Sequence, residues 1–80
     1  MNKNILQQKL EEKKVPKDMY TVDGGLPTER YCLNENNGTW EVYYSERGHK
    51  SSLKVFDTES DACEHLYHWL LKTAKNMRLI

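Results

Sequence analysis

The sequence predicts an α+β fold: an N-terminal helix, a three- to four-stranded antiparallel β-meander, and a C-terminal helix packed on one face of the sheet. Two observations predict the sheet and its covering helix. From residue 39 to residue 47 apolar side chains such as Trp40, Val42 and Tyr44 alternate with polar ones, as in a strand with one buried face. After Phe56 the apolar residues recur every three or four positions, which places them on one stripe of a helix: Ala62, Leu66, Trp69 or Leu70, Ala74 and Met77.

Length and composition predict a single domain over residues 1–80. Eighty residues with 30% charged and 38% hydrophobic side chains are typical of a globular domain with one core. The chain has no apolar run long enough to span a membrane, and its first residues lack the apolar stretch of a signal peptide, so we expect a cytoplasmic protein with no membrane partner. Reduced thiols are then expected at Cys32 and Cys63, whose spacing does not predict whether they lie near each other.

The first helix is expected within residues 1–15. Either Asn2 or Asn4 can cap it, and Pro16 ends it. Its apolar residues are spaced for one face of the helix: Ile5, Leu6 and Leu10.

The sheet is expected over residues 19–56. A short strand at 19–22 precedes a loop with two glycines, and a second strand covers 29–34. Asn37 and Gly38 form a strong hairpin signal, because both tolerate the left-handed backbone of primed turns. This turn places Leu33 opposite Val42 or Trp40.

A second hairpin is expected where Gly48 and His49 form the apex. Tyr44 then lies opposite Leu53, and Val42 lies opposite Val55. Both hairpins turn the same apolar side chains inward, which favours a meander.

The second helix is expected over residues 58–76. Thr58 is its predicted N-cap, and the side chain of Asp61 can return to the cap in a near capping box. Acids in the first turn and lysines near the end suit the helix dipole.

The sheet face away from the helices is the predicted docking surface for a protein partner. Aromatic side chains anchor interfaces, while surrounding charges set orientation and association rate. In the alternative, the first helix or the early loop covers this face and makes Tyr43 and Phe56 a second small core. The two acids have an alternative as well, a solvated strand with Glu41 opposite Lys54 or Arg30. The predicted partner-binding residues are Glu41, Tyr43, Glu46, Arg47, Lys54 and Phe56.

The net charge is zero, but the charges are unevenly distributed along the chain. Residues 23–64 carry nine acids against four basic residues, whereas residues 1–22 and 65–80 are both net positive. An acidic sheet region suits a basic protein partner better than it suits nucleic acid.

Catalysis and metal binding are not expected. The chain has no Gly-rich phosphate loop, nucleophile elbow or Cys/His catalytic constellation. His65 and His68 are three residues apart on a helix, but zinc needs three or four converging ligands, and Cys63 lies on another side of that helix. We therefore expect neither a metal nor another cofactor.

Several segments resemble small bacterial immunity proteins, which are encoded beside polymorphic or contact-dependent growth inhibition toxins. The resemblance covers roughly residues 15–72 and is carried by residues 24–27, 31–33, 40–48 and 56–63. It implies a protein that binds the C-terminal domain of a cognate toxin, often a nuclease, and blocks its active site or substrate surface. Carboxylates would then imitate the nucleic acid backbone.

A second resemblance gives the alternative function. Three strands followed by a helix that opens with residues 56–58 and carries Ala62 are similar to the arm-binding domain of phage integrases, which reads DNA with its sheet. The expected sheet departs from that pattern, because it carries Glu41 and Glu46 and few arginines where phosphate binding needs several cations.

Overall fold

The structure, a computed structural model, describes all residues from 1 to 80 and confirms the α+β fold. The C-terminal helix packs on one face of a four-stranded sheet whose strands are adjacent in sequence order, and the N-terminal helix packs against the C-terminal helix. The elements are α1 (Lys3–Glu12), a short 3₁₀ turn (Lys17–Met19), β1 (Tyr20–Thr21), β2 (Arg30–Asn36), β3 (Thr39–Glu46), β4 (His49–Phe56) and α2 (Glu59–Asn76).

Helix α1 begins at the predicted cap. The Asn2 side chain accepts a hydrogen bond of 2.9 Å from the backbone N–H of Ile5. Leu6 and Leu10 are fully buried, whereas Ile5 is 41% exposed, so the apolar face is narrower than predicted. These two leucines dock α1 onto the core that it shares with α2.

Strands β2, β3 and β4 form the predicted antiparallel meander, but β1 runs parallel to β2. A tight turn can join only antiparallel strands, and parallel neighbours need a longer crossing connection. The connection here is the loop at residues 22–29, which leaves β1 and passes across the sheet before β2 begins. The sheet is therefore mixed at this edge.

Both hairpins use two-residue turns with a left-handed backbone. Asn37–Gly38 forms the first, as predicted, and sets Leu33 opposite Val42. The second consists of Arg47–Gly48, with φ of 51° and 77°. The predicted apex at Gly48 and His49 is wrong by one residue, because Glu46 pairs with His49.

A β-bulge in β4 then inverts the faces of its second half. Tyr44 pairs with Ser51 but Val42 pairs with Lys54, so β4 carries one extra residue between these pairs. Ser52, with φ of 55°, lies at this irregularity. Because side chains alternate between faces, one inserted residue exchanges the inward and outward sets. The predicted pairs of Tyr44 with Leu53 and of Val42 with Val55 are therefore wrong.

Helix α2 begins at Thr58, whose side chain accepts a 3.1 Å hydrogen bond from the backbone N–H of Asp61, as the capping prediction requires. Met77 follows the helix and is 58% exposed, so the predicted stripe ends one turn early. The side chains that α2 buries are Ala62, Cys63, Leu66, Leu70 and Ala74. They pack on Leu33 and Val42 of the sheet.

The two cysteines are free and buried on different sides of the sheet. Cys63 belongs to the core beneath α2, and burial, with a smaller effect of Glu59, raises the pKa of its thiol to about 11. Cys32 lies opposite Tyr43 on the other face, and burial raises its pKa as well. Both thiols are therefore protonated and poorly nucleophilic near neutral pH.

Neither helix is long and apolar enough to span a membrane.

Gly24 fixes the path of the loop at residues 22–29. Its backbone N–H donates a 3.0 Å hydrogen bond to the carbonyl of Leu33, and its φ is +69°. A Cβ atom here would overlap the side-chain amide of Asn34. Asn34 has little freedom to move away, since it donates a hydrogen bond to Glu41.

We predict that Gly24→Ala destabilises the fold by at least about 1 kcal/mol more than Gly25→Ala. Both substitutions strain a left-handed backbone, at about 1–2 kcal/mol, but only the first forces Asn34 off its carboxylate partner. Gly25, with φ of +84°, is the matched control, because a Cβ there would make only an ordinary contact with Pro27 Cδ at 4.0 Å. Urea unfolding of both variants measures the difference, and equal losses would contradict the packing argument.

Candidate functional site

The sheet face away from the helices, here called the outer face, is largely covered by the loop at residues 22–29. Tyr43 is completely buried there, and its hydroxyl donates a 2.7 Å hydrogen bond to the carbonyl of Gly25. The ammonium of Lys50 lies 4.6 Å from the centre of the Tyr43 ring. Burial, followed by the neighbouring Cys32 thiol and the Glu41 carboxylate, raises the pKa of Tyr43 to about 12. The early loop therefore covers Tyr43, as in the alternative, but Phe56, which that alternative placed in the same small core, lies on the other face.

Glu41 is also buried on the outer face, with 8% of its surface exposed. Its Oε1 accepts hydrogen bonds from Asn34 Nδ2 at 3.1 Å and from Lys50 Nζ at 3.2 Å. The hydrogen bond from Asn34, assisted by Lys50, holds the pKa of Glu41 below its ordinary value. Across the sheet Glu41 faces Asn34 and Val55, so the alternative of a solvated strand with Glu41 opposite Lys54 or Arg30 is wrong. The Glu41 carboxylate therefore stabilises the sheet. Because it is buried and already paired with Lys50, it is poorly placed to bind a partner.

We predict that the ionised Glu41 side chain stabilises the fold and that its protonation in acid removes this contribution. Its pKa is lower in the folded chain than in the unfolded chain, so its contribution is present above about pH 4.5 and is lost as the pH falls through the folded value. Glu41→Gln should lower the free energy of unfolding at pH 7 and narrow its deficit against the original protein as the solution is acidified. Urea titrations between pH 7 and about pH 3 measure this.

The matched control is Glu12→Gln, which removes an exposed carboxylate that has no ion-pair partner. Its difference from the original protein should change much less with pH. A constant deficit for Glu41→Gln across the titration would show that its ionisation does not stabilise the fold.

The six predicted partner-binding residues do not share one surface. Glu41 and Tyr43 are buried on the outer face, and Glu46 and Arg47 are exposed at the tip of the second hairpin. Lys54 and Phe56 lie on the opposite, α2-facing side, which corrects the predicted face for both residues. The bulge in β4 is the cause.

On the α2 side, a solvent-open groove of about 340 Å³ lies between β4 and α2, and we call it the basic groove. No carboxylate lines it, and neither of its lysines takes part in an ion pair. Burial, with a smaller effect of Lys54, lowers the pKa of His65, so this imidazole is neutral near pH 7. The lining residues are Ser52, Lys54, His65, His68, Trp69 and Lys72.

Sequence reasoning did not find the basic groove. The alternation predicts Lys54 and Ser52 on the outer face, and the helix pattern predicts His65 and His68 as exposed side chains that do not complete a metal site. Trp69 was assigned to the core as an alternative to Leu70, and the structure buries Leu70 completely while Trp69 stays partly exposed. The groove forms because the bulge in β4 turns Ser52 and Lys54 toward α2. The alternation of polar and apolar residues in β4 gives no sign of this extra residue, so the sequence does not predict the groove.

Three exposed acids lie at the end of the sheet where α2 begins. Glu35, Trp40 and Phe56 form one row across the strands, and Asp57 follows Phe56 directly. Asp61 lies in the first turn of α2 at the same end. Glu35, Asp57 and Asp61 are exposed and belong to none of the four ion pairs, and we call these three residues the acidic end.

Two other acids near the acidic end are already engaged. Asp23 lies 3.7 Å from the ammonium of Lys3, and Glu59 accepts a 2.9 Å hydrogen bond from the Lys3 backbone N–H. Within this region, the carboxylates without a partner in the chain are therefore those of the acidic end; elsewhere Glu12, Asp18, Glu29 and Glu46 are also exposed and unpaired.

A second groove, of about 660 Å³, lies at the other end of the sheet, where the chain leaves α2. Its wall is a mixture of apolar, polar and charged side chains that does not select one ligand chemistry. No three His, Cys, Asp or Glu side chains come together in a group that could hold a metal ion.

Comparison with known proteins found no match among protein-family models, curated protein sequences or solved structures.

Proposed function

We propose that this protein is an immunity protein that binds a basic toxin domain, in the first instance a nuclease, and occludes its active site or substrate surface. The observation that carries the proposal is the acidic end. Its three exposed carboxylates have no cationic partner within the chain, so their charge is available to a partner. The resemblance of residues 15–72 to immunity proteins supports it.

The spacing of the acidic end suits a surface that binds nucleic acid. Glu35 and the Phe56–Asp57 corner are two strand positions apart, and neighbouring strands are separated by about 4.8 Å, so their carboxylates extend from points about 10 Å apart. A nuclease presents Lys and Arg side chains where it meets successive phosphates. Carboxylates spread over a similar distance can meet several of these cations and accelerate the encounter.

The sequence predicts Glu41 and Glu46 as partner-binding residues, but neither belongs to the acidic end. Glu41 is buried and bonded to Lys50, so its reversal to lysine would disturb the fold before it disturbed binding. Glu46 lies at the opposite end of β3 from the acidic end, beside the Arg47 turn.

The direct test is neutralisation. Each protein domain encoded immediately upstream is expressed alone and together with this protein, and nuclease activity and growth arrest are measured. We expect one of these domains to be toxic alone and harmless in a stable complex. Unchanged toxicity with every neighbouring domain would contradict the proposal.

We predict that Glu35→Lys with Asp57→Lys slows association with that toxin on the order of tenfold at low salt, with little change in melting temperature. Asp61 is left intact, because an acid in the first turn also stabilises α2 through the helix dipole. Stopped-flow association rates at several salt concentrations provide the measurement.

The matched control is Glu12→Lys with Glu46→Lys, which makes the same charge change at the opposite end of the molecule. It should slow association much less. If both double variants slow association equally, net charge and not the acidic end governs the encounter.

The DNA-binding alternative is separated by a simple experiment. A sheet that reads DNA needs several cations on one face, but the outer face is covered by a loop around Tyr43 and carries the Glu41–Lys50 ion pair. Retention on heparin and a duplex shift at moderate salt would favour the alternative over the immunity proposal.

A further inference from the structure

Strand β4 is an edge of the sheet, since it pairs with β3 and with no other strand. All of its residues before Phe56 are exposed. An edge strand offers backbone donors and acceptors that another extended chain can pair with. With eight residues against two in β1, β4 is the longer edge of this sheet, and its regular segment after the bulge, residues 53–56, is open to strand addition.

The side chains of β4 differ sharply between its two faces. On the α2 side, Lys54 and Lys72 line the basic groove. On the outer side, Leu53 and Val55 are 46% and 58% exposed, although both are aliphatic. Val55 pairs with Glu41, and Leu53 is two residues earlier in the strand, so both share the outer face.

We infer that β4 pairs with an extended segment of a protein partner in which acidic and apolar residues alternate. The acidic side chains of this segment enter the basic groove, and its apolar side chains cover Leu53 and Val55. A strand added to an edge continues the alternation of the sheet, so its two faces meet the two faces of β4. The inference concerns β4 and does not require the partner to be a toxin.

A second copy of this chain fits β4 poorly. Pairing two copies of the strand would bring the lysines at 50 and 54 of one copy toward those of the other. Lysines on edge strands are a common device against such self-pairing. The charge of the strand instead favours an acidic segment of a different chain.

A peptide also fits better than a nucleic acid. Phosphate groups accept hydrogen bonds but donate none, so they cannot pair with the carbonyl groups of an edge strand. The groove supplies two lysines, whereas a nucleic acid backbone needs a track of cations. Leu53 and Val55 would stay uncovered in such a complex.

The test uses a labelled eight-residue peptide of alternating glutamate and valine, with a peptide of the same composition in two blocks as control. We expect the alternating peptide to bind more tightly by fluorescence anisotropy. Backbone amide signals of β4 and ring signals of Trp69 should shift in NMR spectra. Lys54→Glu should weaken binding about fivefold, whereas Lys13→Glu, an exposed lysine on the connection after α1, should leave it nearly unchanged.

Several results would overturn the inference: no binding of the alternating peptide at about 1 mM, equal binding of the block peptide, or equal weakening by Lys54→Glu and Lys13→Glu. Tighter binding of a single-stranded oligonucleotide than of the peptide would assign the groove to nucleic acid instead. Failure of the toxin assay with success of the peptide assay would remove the immunity proposal and keep this one.

Discussion

The extra residue in β4 determines which side chains this sheet presents to its surroundings. Before the bulge, β4 follows the register set by the Arg47–Gly48 turn, and after it every side chain changes face. Lys54 and Phe56 thereby move beneath the edge of α2, and two aliphatic side chains move out to solvent. In a regular hairpin these two would face α2, and the basic groove would lose Lys54.

The fold was predictable because its signals are local and agree with one another. The alternation around Val42, the Asn37–Gly38 turn and the Thr58 cap each depend on a few neighbouring residues, and each appears in the structure. The direction of β1 was not predictable in the same way. Two residues of strand carry no signal of direction, and the parallel pairing depends on how the loop at residues 22–29 crosses to β2.

The candidate surfaces were harder to predict, since each depends on a contact between distant parts of the chain. Tyr43 and Glu41 have the sequence signature of an exposed strand face. They are buried because a glycine at position 24 lets the loop approach Asn34, and because Lys50 lies over both side chains. The acidic bias of residues 23–64 was visible in the sequence, but which carboxylates keep their charge free depends on partners such as Lys3 and Lys50.

The net charge of zero conceals a separation of charge along α2. Asp61 and Lys72 are eleven residues apart, and a rise of 1.5 Å per residue puts them about 16 Å apart along the helix. Screening in physiological salt has a length of about 8 Å, so neither charge cancels the other for a partner in contact with one of them. Asp61 of the acidic end and Lys72 of the basic groove therefore act as separate charges on α2. A partner that engaged both residues would need a cation and an acid about 16 Å apart, which is a more selective requirement than net charge.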